Sequence, residues 1–270
     1  RSLAPSTLSH TITAINPPCW LVQALWRQRD GRWLAVADAT GDAVAIVDPQ
    51  SGEVARTIDL AGEPMSLAWN GEGDRLYVAL MAANTVAEIE PVAGSVVRRL
   101  GNAGAWPAGI ALAPERNMLV IANAALNQVS LLDLENPGNT KRIDVIHQPR
   151  AVAVTPDESL AVVGNLLPIG PATEVEVASA VSLIDLEEGK KVADVALPGG
   201  STMLRGVAVS TDGRWAYIAH TLGHFTLPTT QLDRGWVNTN CVSIIDLADR
   251  SRYATLLLDL VTEGAADPWG

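Results

Sequence analysis

The densest set of chemically capable side chains lies in one stretch, His220 to Asn240 (HTLGHFTLPTTQLDRGWVNTN). It holds His220, His224, Gln231, Asp233, Arg234, Trp236, Asn238 and Asn240, together with the chain's single phenylalanine, Phe225. His220 and His224 have the i, i+4 spacing that puts two imidazoles on one face of a helix, where a third ligand would complete a zinc site. Pro228, Gly223 and Gly235 argue against such a helix. The expectation is therefore hydrogen-bonded loop histidines, and no metal site. Arg234 and Trp236 are residue types that dominate contacts with partners, and they serve loop packing equally well. Further back, Arg150 and Arg205 offer guanidinium forks suited to a carboxylate or another anion, with pairing to a neighbouring acid as the competing use. No catalytic signature accompanies these groups: H-E-x-x-H and G-x-S-x-G are missing, and Gly71-Glu72-Gly73 is an ordinary turn. No catalytic residue is expected.

The elements that must position these residues are written as a repeat. Pro107 to Gln148 contains four short apolar runs, IALA, MLVIAN, QVSLLDL and KRIDVI, separated by Pro-Glu-Arg-Asn, Ala-Ala-Leu-Asn and Asn-Pro-Gly-Asn. These are strand and turn signals. Four strands in about 42 residues, recurring on both sides, predict an all-β chain of four-stranded β-propeller blades. Blades are expected at about 17–63, 64–106, 107–148, 149–203 and 204–267. Residues 1–16 would end a preceding blade, through a strand over Ser9–Ile15, and 268–270 would open a further one. The expectation is five blades plus stubs, a segment of a larger propeller of about seven. The third strands end in Asp48, Glu90, Asp133, Asp185 and Asp246, where a carboxylate can accept N–H groups of the following turn. These acids are read as turn formers.

Charge and composition exclude several classes. A formal net charge of −11 with no basic run gives little attraction to nucleic acid or to an anionic membrane. No apolar run approaches the roughly 20 residues that span a bilayer, and the start of the chain does not read as an export signal. Cys19 and Cys241 are too few and too far apart for a disulfide framework, and each is expected to be a small buried apolar residue.

Function in a repeat protein concentrates where copies differ. Ala37 to Asp48, Ala79 to Glu90 and Ala122 to Asp133 each step 11 positions, but Gly164 to Asp185 steps 21 and Ala219 to Asp246 steps 27. Both insertions fall between the second and third strands of adjacent blades, so they should emerge on one face of the disc. The start of each first strand shares that face. Arg150 and Arg205 occupy equivalent positions there, near the mouth of the central channel.

The openings PAGIALAP, PRAVAVTP and LRGVAVSTDGRWAYIAH, followed by VSLIDL or VSIIDL, resemble the YVTN family of bacterial β-propellers over essentially the whole chain. LPTTQLDRGWVNTNCVSIIDL followed by LLLDLVTEGAADPWG is similar to a long loop in YVTN-type propellers of secreted or surface proteins that also carry a c-type cytochrome domain. That resemblance implies a periplasmic or cell-surface redox-associated protein, in which a non-catalytic propeller docks an attached or separate cytochrome domain or another protein. The chain itself has no C-x-x-C-H, so haem c would belong to a further domain. Related propellers include lactonases and quinone-dependent dehydrogenases with sites at the channel mouth, so an enzyme remains the second reading. A surface adhesion module is the third.

Overall fold

The computed structural model describes residues 22–27, 31–171, 173–174, 177–223 and 238–258. Among the described residues, twenty strands form five four-stranded antiparallel sheets, each a simple meander. Blade 1 comprises β1 (Val22–Arg27), β2 (Leu34–Asp38), β3 (Ala43–Val47) and β4 (Val54–Asp59). Blade 2 comprises β5 (Pro64–Trp69), β6 (Leu76–Leu80), β7 (Thr85–Glu90) and β8 (Ser95–Leu100). Blade 3 comprises β9 (Pro107–Ala113), β10 (Met118–Asn123), β11 (Gln128–Asp133) and β12 (Thr140–Asp144). Blade 4 comprises β13 (Pro149–Val154), β14 (Leu160–Asn165), β15 (Ala180–Asp185) and β16 (Lys190–Ala196). Blade 5 comprises β17 (Ser201–Val209), β18 (Trp215–Gly223), β19 (Asn238–Asp246) and β20 (Ser251–Leu257). First strands of successive blades contact one another, β1 with β5, β5 with β9, β9 with β13 and β13 with β17. The fold is a β-propeller. The strand expected over Ser9–Ile15, the opening at 268–270 and Cys19 lie outside the described residues.

Alternation along each strand builds the core between blades rather than within them. In β10, Leu119 and Ile121 pack toward blade 2 with Leu100 and Tyr77, whereas Val120 packs toward blade 4 with Ala161 and Val163. Ala35, Val44 and Ile46 of blade 1 meet Leu67, Leu76 and Val78 of blade 2 in the same manner. Second and third strands are buried on both sides, so their sequences are nearly continuous apolar runs. Fourth strands such as β8 are largely exposed.

The acids at the ends of the third strands close turns. Asp48 accepts Gln50 N–H at 2.8 Å, Asp133 accepts Glu135 and Asn136 N–H at 2.9 and 3.0 Å, Asp185 accepts Glu188 N–H at 2.8 Å, and Asp246 accepts Ala248 N–H at 3.0 Å. Glu90 differs, since its carboxylate lies 3.8 Å from Arg75.

A second repeated device joins one blade to the next. Glu63, Trp106 and Gln148, each immediately before a first strand, have φ of 62°, 54° and 51°. Such side chains adopt left-handed backbone at a cost of about 1 kcal/mol each, so something must hold them there. Asp42, Asn84 and Asn127, on the hairpin between strands 2 and 3 of the preceding blade, accept their N–H groups at 2.7, 2.8 and 2.8 Å. Their carbonyls accept N–H from Met81, Ala124 and Leu166 at 3.0, 3.0 and 2.9 Å, just past the second strand of their own blade. Each entry residue is thereby clamped between two blades. Blades 3 and 4 are also tied at the opposite face. There the buried Glu158 carboxylate accepts Glu115 and Arg116 N–H at 3.0 and 3.1 Å, and Arg116 Nε donates to Glu158 O at 2.8 Å.

Removing one latch should loosen one junction. Asn127→Ala leaves the Gln148 N–H without its acceptor and puts alanine at a φ of 54°, so it should lower unfolding stability by about 2 kcal/mol. Asn127→Asp, which keeps the acceptor, should lower it much less. Urea unfolding midpoints measure both, and an unchanged midpoint for the alanine variant contradicts the latch.

Candidate functional site

Every first strand begins with a β-bulge. Pro64 pairs with Leu80 and Ser66 with Ala79, so Met65 is the extra residue; Pro107 and Gly109 flank Ala108 likewise, and Pro149 and Ala151 flank Arg150. In blade 5 the interruption is wider, running from Thr202, paired with Thr221, to Gly206, paired with Ala219, and it includes Arg205. A bulge takes a side chain out of the ladder's alternation and re-aims it. Arg150 and Arg205 are both half-buried, on neighbouring first strands that contact each other. Blade 3 approaches this point closely enough to require glycine, because a Cβ on Gly109 would lie 2.0 Å from the Arg150 carbonyl oxygen. Burial, and then the neighbouring charge of Arg205, hold the Arg150 guanidinium below its ordinary range. Among the described residues no carboxylate forms an ion pair with Arg150. Arg205 Nη2 lies 4.0 Å from Met203 Sδ.

The described ends of the two insertions lie on this face, and both are bonded to the linker that leads into blade 5. The blade 4 connection, between β14 and β15, returns through Val177 and Ser179, where Gly200 N–H donates to Val177 O at 2.7 Å and Ser179 N–H to Ser201 O at 2.8 Å. Gly223 of blade 5 donates to Gly200 O at 2.9 Å, tying both blades to one linker. Met203 is the left-handed entry residue of blade 5, with φ 59°, and its N–H donates at 3.1 Å to Leu166 O instead of to an Asx side chain. The insertion has displaced the latch and substituted backbone bonds for it.

Several residues singled out from sequence sit elsewhere than a binding surface. The His220–Asn240 stretch is strand at both ends, with His220 opposite Cys241, Thr221 opposite Asn240 and Gly223 opposite Asn238. His220 is therefore a strand residue with no solvent exposure, and as a direct partner contact it is corrected to an interior role. Its Nε2 lies 2.8 Å from Ser243 Oγ, which is 2.8 Å from Thr255 Oγ1, and Cys241 Sγ is 3.4 Å from the ring. Asn240 is also buried, and its carbonyl accepts Leu258 N–H at 2.8 Å as Asp42 O accepts Leu60 N–H. It occupies the latch position of blade 5, three residues before Ser243 as Asp42 is before Ala45 and Asn127 before Ser130. Asn238 is exposed at the strand end. His224, Phe225, Gln231, Asp233, Arg234 and Trp236 lie outside the described residues. Among the described residues no cluster of His, Cys, Asp and Glu suits a metal. The buried Cys241 and the missing C-x-x-C-H do not fit covalent haem attachment to this chain.

His220 belongs to a repeated interior pair. Equivalent positions at the ends of β10 and β14 hold Asn123 and Asn165, both fully buried, whose Nδ2 groups donate to Ser130 Oγ at 2.8 Å and Ser182 Oγ at 3.1 Å. Ser182 Oγ continues to Asp194 Oδ1 at 2.6 Å. The recurring VSLLD, VSLID and VSIID carry these serines, a signal visible in the sequence once the partner strand is known. Also overlooked are exposed apolar residues on the insertion face of blades 3 and 4. Trp106 is 54% exposed, Leu126 46%, Leu167 39% and Ile169 43%.

Fold and site together define a β-propeller with meander blades and an elaborated face over its fourth and fifth blades. Comparison with known proteins adds a relative. Hydrazine synthase subunit beta from Kuenenia stuttgartiensis is 27% identical to this chain over 143 residues, which is 52% of this chain and 35% of that one. The match thus spans about a third of that relative. Among solved structures, Kuenenia stuttgartiensis hydrazine synthase superposes with a TM-score of 0.81 over 92% of this chain and 69% of its own, at 22% identity. That likeness carries the fold alone. No protein-family model matches the chain.

Burial lowers the His220 imidazole to about 4 from an ordinary 6.5. Above 6.5 both folded and unfolded states hold it neutral; as pH falls from 6.5 to 4 only the unfolded state takes up the proton, so stability is lost. The loss from this group alone is about 3 kcal/mol. His220→Asn, which copies blades 3 and 4, should fold and be less destabilised than the parent over that window. Parallel pH dependence of unfolding in the two proteins contradicts the assignment.

Proposed function

We propose that this chain is a non-catalytic propeller scaffold, which presents the insertion face of blades 3 to 5 to another subunit or domain of a redox assembly. The observation that carries this reading is the gathering of Trp106, Leu126, Leu167 and Ile169, all exposed, on the one face that also holds both insertions and both channel-mouth arginines. Exposed apolar side chains beside tryptophan and arginine have the composition of a protein interface. Backbone bonds from Val177 and Gly223 to the Gly200 linker hold the described ends of both insertions in place, which lowers the ordering cost of docking there. Similarity to a chain named as one subunit of an enzyme supports a partner within an assembly. An electron-transfer domain, joined or separate, is the partner that the YVTN-type resemblance favours, in the periplasm or at the cell surface.

Site-specific photo-crosslinking in the natural full-length protein tests the reading. A crosslinker at Ile169 should capture a partner subunit or domain, with the linked peptide identified by mass spectrometry. A crosslinker at Val92, on the opposite face and 64% exposed, should not. Equal capture from both positions, or capture from Val92 alone, rejects this face.

A further inference from the structure

We infer that the front sheet face of blade 5, carrying Tyr217, Leu256 and Leu258, is an inter-blade interface whose occupant is a sixth four-stranded blade, formed by the segment that follows in the same polypeptide. This is a sheet face and not the loop face of the docking reading, so the inference stands apart from that reading.

Three positions recur on the side of each blade that meets its successor. The first lies on the second strand, opposite the third-strand residue two places before the terminal acid: Ala35, Tyr77, Val120 and Val162 in blades 1 to 4, and Tyr217 in blade 5. The second lies on the fourth strand, opposite the residue four places before that acid: Ile58, Leu100, Ile143 and Val195, then Leu256. In blades 1 to 4 both positions pack with residues of the following blade, and none of them exceeds 8% exposure. In blade 5 Tyr217 is 39% exposed and Leu256 54%. The third position is two residues further on, where the chain leaves the fourth strand. Leu60 and Leu197 are buried there, whereas Leu258 is 51% exposed. Its backbone still makes the departure bond of the other blades: Leu258 N–H donates to Asn240 O at 2.8 Å, as Leu60 does to Asp42 O at 2.6 Å and Leu197 to Ser179 O at 3.1 Å. Blade 5 thus keeps the side chains and the exit geometry of an interior blade. A sheet meant to end in water is blunted with charge instead.

Blade 1 does not supply the occupant, because Val36, Ala45 and Val47 on its rear face are already buried. The kind of occupant is set by Tyr217. Tyr77, at the same position in blade 2, shares a cluster with Ile110 of the following first strand and with Leu119 and Ile121 of the following second strand. The covering blade should therefore carry branched aliphatic residues at those three places, to fill the space around the ring at the density of a protein interior.

The test places a photoreactive residue at Leu256 in the natural full-length protein and maps the linked peptide by mass spectrometry. The link should fall within the same polypeptide, on a four-strand repeat that follows Gly270, and should stay within one molecule when isotope-labelled and unlabelled copies are mixed. In parallel, Leu256→Ala should lower the urea midpoint of that protein about as far as Ile143→Ala does, because both remove a side chain buried between blades. A link to a second copy, a link to a different polypeptide, or no link at all overturns the inference. So does a Leu256→Ala variant whose midpoint equals that of the parent while Ile143→Ala lowers it.

Discussion

One hydrogen bond organises this propeller: the N–H of a left-handed residue at the threshold of blades 2, 3 and 4, accepted by an Asx side chain from the blade before. Glu63, Trp106 and Gln148 take a backbone conformation that their side chains disfavour, and Asp42, Asn84 and Asn127 hold them in it. The threshold residue sets where the first strand starts and how its bulge is phased. The bulge in turn decides which side chain stands at the channel mouth. Apolar packing between blades supplies most of the stability, but packing alone is tolerant of sliding. The latch fixes the register.

The functional face follows from how blade 4 breaks this rule. Where blades 1 to 3 offer an Asx, blade 4 has Ser179 at the end of a long connection, and the Met203 N–H turns to Leu166 O. The linker around Gly200 then serves both insertions, taking Val177 on one side and Gly223 on the other. Lengthening the connection gave a broader surface without leaving the fifth blade unattached. Blade 5 keeps an Asx, Asn240, at the corresponding place, and its elongated β18 and β19 extend the ladder to Gly223 and Asn238.

Much of the architecture is legible in the sequence, because strands buried on two faces must be continuous apolar runs and their turns must carry Gly, Asp or Asn. Aligning the copies was enough to put Arg150 and Arg205 at matching positions. The latch was harder to see: its partners are 21 or 22 residues apart and lie in different blades. Its trace is nonetheless present as a short pattern, Asp42-Ala-Val-Ala, Asn84-Thr-Val-Ala, Asn127-Gln-Val-Ser and Asn240-Cys-Val-Ser. His220 and Asn240 read as loop residues in the sequence, since polar composition does not reveal that a hairpin ladder continues through them. A histidine opposite a small cysteine and beside a serine has its hydrogen bond inside the blade.

Backbone hydrogen bonds from the described ends of the blade 4 and blade 5 insertions to the linker around Gly200, with that of Met203 to Leu166, stand in for the missing latch. Native-state amide hydrogen exchange at Ser179, Gly200, Met203 and Gly223 tests it most directly. Protection comparable to that of the Trp106 and Gln148 amides is the predicted result. Exchange at the rate of an unstructured peptide, with Trp106 and Gln148 still protected, would show that these bonds are open and that blade 5 is held by packing alone.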